Sequence, residues 1–330
     1  MKETILLTGS TGFIGQRLLH YLAEEKCHIK VLLRPESPQT ALPFDCEIVR
    51  GSFDDSQTLA KAVRGTTHIM HLAGVTKARD EDGYDAGNVM PLQNLLAAVR
   101  HECPDLKRFL YVSSLAAAGP APEGITGLTE SDAPAPVSAY GRSKLRAETS
   151  CHAQARHIPI TIVRPPAVYG PGDKDVLQIF QMMAKGVLIG AGHPQKQRFS
   201  LIYVDDLVTG MVQAMRAEKA LNRTYYITSP TAYGWNELIA QAQPLLGFKK
   251  LRQFTLPMPF LLGVAGLMGA IGELQGKAPL INRDKVNELV QNYWVCSGKQ
   301  AQLDFGFTAT TPLQEGLATT IAWYRKKGWL

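Results

Sequence analysis

In the first half of the chain, short apolar runs rich in β-branched residues alternate with stretches whose apolar positions recur at helical spacing. TILLT, IKVLLR, CEIVRG, THIMHLAG and RFLYVSS read as strands buried on both faces, and IGQRLLHYLAEE, SQTLAKAVRG and PLQNLLAAVRHE read as amphipathic helices between them. This alternation predicts a βαβ series, hence an α/β fold with a doubly wound parallel sheet. A polar loop rich in Pro and Gly, from Gly119 to Ser138, precedes a helix predicted over about 139–156 and a further buried strand, PITIVRP. After Gly170 the pattern loosens, and the strand-like SLIYVDDL leads into a helix and then TYYITS, the last two of which are expected to return to the main sheet. Residues 1–170 plus about 203–229 are therefore expected to form a nucleotide-binding domain. About 171–202 and 230–330 are expected to form a smaller, mostly helical substrate lobe over the carboxyl edge of the strands, where ligands bind in such sheets.

The first strand runs straight into TGSTGFIG, with glycines at 9, 12 and 15. Between a buried strand and a helix, this spacing suits a dinucleotide pyrophosphate: Gly9 for the tight turn, Gly12 for close approach of the phosphates, Gly15 for close packing of helix on strand. The free N–H groups and positive dipole at the helix start would attract the diphosphate, so Thr11, Phe13 and Ile14 join the glycines as candidate cofactor contacts. At the end of the second strand, in VLLRPES, Arg34 favours a ribose 2′-phosphate and hence NADP(H), with NAD(H) the alternative if Glu36 instead holds the ribose hydroxyl.

In SAYGRSK, Tyr140 and Lys144 stand four apart on a predicted helix and so share one face. An ammonium beside a phenol favours the phenolate, so Lys144 is expected to draw the Tyr140 pKa down and ready it for proton exchange with a substrate oxygen. YVSS ends another strand with Ser113 and Ser114 at the same carboxyl edge as the glycine loop.

TGSTGFIG, HLAG, the NVMPLQNLLAAV helix, YVSS, YGRSK, RPPAVYGPGD and YVDDL occur in an order and spacing that resemble the extended short-chain dehydrogenase/reductases, the NAD(P)-dependent epimerase/dehydratase and 3β-hydroxysteroid dehydrogenase-like superfamily. The resemblance spans nearly the whole chain and implies a Rossmann-type sheet. It implies that Ser114 hydrogen-bonds the substrate oxygen, Tyr140 is the acid/base, Lys144 holds the nicotinamide ribose, and Asn88 sits near the proton relay. It places Ala73 and Gly74 under the cofactor and Pro165 and Val168 against the nicotinamide, and it implies a homodimer through the helices carrying Asn88 and Tyr140. Ser114 is preferred to Ser113 because it matches the second serine of the family's pattern ending at Gly119. One departure is GSFDD, where Ser52 replaces the family's aspartate beside adenine, passing that contact to Asp54 or losing it.

Composition narrows the partners. The 330 residues are 45% hydrophobic, with a formal charge of +6. Lys and Arg are scattered rather than striped, which argues against nucleic acid. Five cysteines without a C-x-x-C pair suggest reduced thiols and a cytoplasmic protein, and no set of residues has the spacing of a metal site. The family resemblance implies that Asp205 and Asp206 fasten loops to helix ends, and His71 is read as a packed residue. A strand beginning at Thr4 predicts that no cleavable segment precedes the fold. The apolar stretch 256–272 is too short and too rich in Gly and Pro for a membrane span and is expected to form a lid, part of the lobe's core, or a helix resting on a membrane surface. Nucleotide-sugar members of the family usually carry Asn where this chain has Ala167, which has no polar group. The C-terminal segment looks like those of 3β-hydroxysteroid dehydrogenases and dihydroflavonol reductases. These features point to a small, hydrophobic alcohol or ketone as substrate, sterol-like molecules included. The alternatives are a sugar-nucleotide epimerase or dehydratase and, in another class, a non-catalytic NADP(H)-binding sensor.

Overall fold

The computed structural model describes residues 3–37, 42, 46–263, 265–266 and 283–330. In chain order the first half contains β1 (Thr4–Thr8), α1 (Phe13–Glu24), β2 (His28–Leu33), β3 (Glu47–Arg50), α2 (Ser56–Val63), β4 (His68–His71), α3 (Glu81–Asn88), α4 (Met90–Glu102), β5 (Arg108–Val112), α5 (Leu115–Ala118) and α6 (Ala139–Gln154). The second half contains β6 (Ile160–Arg164), β7 (Ala167–Tyr169), α7 (Leu177–Ala184), β8 (Val187–Ala191), β9 (Arg198–Tyr203), α8 (Val204–Arg216), β10 (Arg223–Tyr226), β11 (Ala232–Gly234), α9 (Trp235–Leu246), β12 (Arg252–Leu256), α10 (Arg283–Leu289), β13 (Tyr293–Trp294), α11 (Lys299–Phe305) and α12 (Leu313–Lys326).

Seven strands form one sheet in the order β10-β6-β5-β4-β1-β2-β3, every neighbouring pair parallel. The strands are continuous apolar runs because both faces are covered. On one face Leu18, Leu19 and Leu22 of α1 and Leu207, Val208 and Met211 of α8 pack on Ile5, Leu7, Val31 and Leu110. On the other, Leu59 of α2, Leu92, Leu95 and Leu96 of α4, and Ala147 and Cys151 of α6 pack on Leu6, Ile69, Phe109 and Ile162. Each fully buried leucine contributes roughly 1.5–3 kcal/mol relative to exposure.

TYYITS joins the main sheet, as β10 beside β6, and the strand of SLIYVDDL does not. It forms β9, which pairs with β7, β11 and β13 in a separate small sheet. Pro165 and Pro166 explain the departure: neither has an N–H to extend the β6 ladder, so β7 leaves the main sheet and carries β9 with it. The helix after β9, α8, packs back on the large sheet.

A further core joins Phe180 and Met183 of α7, Leu188, Ala242 of α9, and Leu313, Leu317, Ile321 and Tyr324 of α12. Strands β8 and β12 make a two-stranded parallel ribbon. Within the stretch 256–272, residues 264 and 267–272 lie outside the described residues, so the expectation of one lid or surface helix falls partly outside them. Among the described residues, no helix is long and apolar enough to cross a membrane.

Candidate active site

Parallel strands bring their carboxyl ends to one edge, and most of the expected site residues gather there. Gly9 has φ +76°, and a side chain on it would lie 2.6 Å from the Ala73 nitrogen, so the loop after β1 is pressed against the exit of β4. A Cβ on Gly15 would lie 2.1 Å from the Gly9 carbonyl oxygen. Gly12 differs: its φ is an ordinary −76°, and a Cβ there would meet only the Gly9 oxygen, at 3.3 Å. Gly12 also precedes α1 with no side chain capping the helix. The first turn, holding Phe13, Ile14 and Gly15, therefore presents N–H groups to an open face, the cradle that a pyrophosphate requires. Thr11 lies in this loop, with its carbonyl accepting from Gln16.

At the β4 exit, a Cβ on Gly74 would lie 2.6 Å from Asn88 Oδ1 and 3.6 Å from Lys144 Nζ, so this glycine joins the loop to the helix carrying Tyr140. Asn88 is buried with its amide fully engaged. Oδ1 accepts the Val75 N–H at 2.8 Å, and Nδ2 donates to the Val75 carbonyl at 3.1 Å and to Ser143 Oγ at 2.9 Å. Its side chain thus braces the strand exit and has no N–H left for a relay.

Tyr140 opens α6 under a capped N-terminus, where Ser138 Oγ accepts the Gly141 N–H at 3.0 Å. Its ring lies 6.0 Å from that of Tyr84. Helix α3, which carries Tyr84 and Asn88, is laced to α6 by ion pairs of Arg142 with Glu81 and of Arg146 with Glu81 and Asp85. The Ser114 side chain lies close enough to the Tyr140 phenol to lower its pKa. Ser114 is also the N-cap of α5, accepting the Ala116 N–H at 3.1 Å.

Ser113 is engaged elsewhere: it donates to Glu148, which forms a buried two-pronged ion pair with Arg164. Pro165 lies beside Ser114, its carbonyl accepting the Leu115 N–H at 2.8 Å. Val168 is half-buried against the main core.

The electrostatics depart from expectation. Burial pushes the Tyr140 phenol well above its usual pKa. Ser114 opposes this, while Glu288, Tyr84 and Asp175 reinforce it. The Lys144 ammonium instead donates to the Val112 carbonyl at 3.0 Å and lies 5.0 Å from the centre of the Tyr111 ring. Burial lowers the Lys144 pKa to about 8, with Glu148 pulling the other way. The pair therefore shares a face, but the phenol is raised rather than lowered, because desolvation dominates.

Four further groups came from the sequence. Arg34 stands apart at the exposed end of β2, 3.5 Å from Glu36, while Arg50 braces the same turn by donating to the Pro35 and Ser37 carbonyls. Ser52 and Asp54 hydrogen-bond each other in the turn after β3. His71 is fully buried, hydrogen-bonded to Thr8 at 2.8 Å, and held neutral by burial with a pKa of about 3. Asp205 pairs with Arg17, and Asp206 accepts from the Thr310 and Thr311 backbones. Among the described residues, no group of three or more His, Cys, Asp or Glu could hold a metal.

Two contributors escaped the sequence reading. Ser138 donates to Glu288 of α10 at 2.6 Å, and Glu288 acts on Tyr140. The Ser138 cap was visible as a serine before AYG, but nothing local marks Glu288. Glycine cradle, buried ammonium and the phenol beside Ser114 together can bind a dinucleotide and exchange a proton with a substrate oxygen beside it.

Known proteins resemble this chain. The chain is 29% identical over 333 residues to a ceramide reductase of Caulobacter vibrioides, covering 100% of this chain and 96% of the relative. It is 27% identical to the N-acetyl-alpha-D-glucosaminyl-diphospho-ditrans,octacis-undecaprenol 4-epimerase of Escherichia coli O157:H7, covering 97% of this chain and 95% of that protein. Its fold matches a UDP-glucuronic acid 4-epimerase of Bacillus cereus solved with NAD, at a TM-score of 0.78 and 23% identity, covering 98% and 99% of the two chains. The profile of the NAD dependent epimerase/dehydratase family matches residues 5–228, and the chain belongs to that family.

Proposed function

We propose that the protein is an NADP(H)-preferring oxidoreductase that interconverts a secondary alcohol and a ketone on a largely apolar substrate. The observation that carries this reading is the buried Tyr140 phenol beside Ser114, with Lys144 buried against the same strand end. Two features direct the choice of substrate. Ala167 is exposed at the start of β7 and offers neither donor nor acceptor where an amide would serve a sugar nucleotide. The relatives named above include one named for a ceramide and one named for an undecaprenol conjugate.

The first turn of α1 and Gly12 would hold the pyrophosphate, Gly74 and Lys144 the nicotinamide end, and Arg34 the 2′-phosphate. When bound, the cofactor supplies or accepts the hydride. Tyr140 gives a proton to the carbonyl oxygen in reduction and takes it back in oxidation. Ser114 holds that oxygen in line with the phenol, while Asn88 keeps the β4 exit in place beneath it.

The test is NADPH consumption, followed by absorbance, with a panel of long-chain ketones and with UDP-glucose. Net consumption with an apolar ketone supports the reading. No net consumption, together with isomerisation of the sugar nucleotide, would replace it with epimerase chemistry.

A further inference from the structure

The ribbon of β8 and β12 presents a surface that the catalytic reading does not use. Its register pairs Phe254 with Ile189. In-register residues on neighbouring strands share a face, so these two side chains stand together, 51% and 47% exposed. Past β12, a helical turn over 258–263 buries Leu261 against the cluster of Ala191 and Val286 and leaves Met258, Phe260 and Leu262 exposed. Single exposed apolar residues are ordinary, whereas five on one ribbon and its following turn mark an interaction surface.

Cations gather where the ribbon begins. Lys185 leads into β8, and Lys249, Lys250 and Arg252 lead into β12. The Arg252 N–H donates to the Gly186 carbonyl at 2.9 Å and ties the starts of the two strands together. All four cationic side chains are exposed, and none pairs with a carboxylate among the described residues. The segments 176–203 and 238–263, which build this surface, contain no Asp or Glu. A second copy docking face to face would therefore bring these cations together with no acid in either segment to answer them. An anionic bilayer answers both features, with headgroups for the cations and acyl chains for the apolar side chains.

We propose that the β8–β12 ribbon docks this protein on an anionic lipid surface. The inference does not rest on the catalytic reading, because its test measures binding without turnover. The full chain is floated with vesicles of phosphatidylcholine alone or with about one-third phosphatidylserine, at low and at high salt. The expected result is partition into the anionic vesicles about tenfold or more above that into neutral ones, weakened by salt. Phe254→Asp and the double change Lys249→Glu with Lys250→Glu should each lower it about tenfold. Unchanged melting temperatures would separate lost binding from lost folding, and Phe260→Ser serves if Phe254→Asp does not fold. Absence of flotation, or flotation indifferent to both the charge and the apolar changes, overturns the proposal. So does light scattering that shows a dimer which Phe254→Asp converts to monomer, since the face would then belong to a second copy.

Discussion

Ser138 and Glu288 lie 150 residues apart in sequence and are joined by a 2.6 Å hydrogen bond, which ties the residue capping the Tyr140 helix to α10. Glu288 also helps to raise the Tyr140 pKa, alongside Tyr84 and Asp175 and against Ser114. Glu288→Gln keeps an acceptor for Ser138 and removes the charge. Since a nearby negative charge disfavours the phenolate, its loss lowers the phenol pKa. In the oxidation direction, where activity rises as the phenol ionises, the rising limb of the pH–rate profile should move to lower pH. An unmoved limb would show that Glu288 acts on structure alone.

Gly12 and Gly15 should respond differently to alanine. At Gly15 the new methyl meets the Gly9 backbone at 2.1 Å and should prevent normal folding. At Gly12 it meets one oxygen at 3.3 Å from an ordinary φ, so the melting temperature should change little. NADPH affinity, measured by calorimetry, should nevertheless fall about tenfold or more, because the methyl points into the space reserved for phosphate. Equal affinity in Gly12→Ala would mean that the loop is only a turn.

Arg34 is exposed, so its contribution to cofactor choice should be moderate. Arg34→Ala should weaken NADPH binding about tenfold, equivalent to about 1.4 kcal/mol, and leave NADH nearly unchanged. Equal loss for both cofactors would remove Arg34 from the 2′-phosphate.

The Glu148–Arg164 pair is buried, with side chains 1% and 6% exposed, and Ser113 completes its hydrogen bonding. Glu148→Ala leaves a guanidinium unpaired in the interior and should cost roughly 3–5 kcal/mol in denaturant unfolding. A loss below about 1 kcal/mol would show that water replaces the carboxylate.

How much of this was legible in the sequence depended on how local each signal is. Runs such as TILLT and RFLYVSS declare buried parallel strands by themselves, and the glycine spacing needs only its strand-to-helix setting. The departure of β7 and β9 from the main sheet is encoded in Pro165 and Pro166, whose missing N–H groups end the β6 ladder. The Tyr140 pKa was misjudged because spacing shows that Lys144 shares the face, whereas desolvation and the Val112 carbonyl that holds the ammonium are properties of the packed interior. Glu288 lay beyond reach because its approach to Ser138 depends on how α10 meets α6.

The central claim is that Tyr140 moves the proton in a reaction whose cofactor the glycine loop holds. It is tested most directly by measuring turnover and NADPH affinity together in Tyr140→Phe, which removes one hydroxyl. Turnover should fall about a thousandfold while the NADPH dissociation constant changes by less than about threefold. Turnover within about threefold of the unaltered enzyme would contradict the assignment.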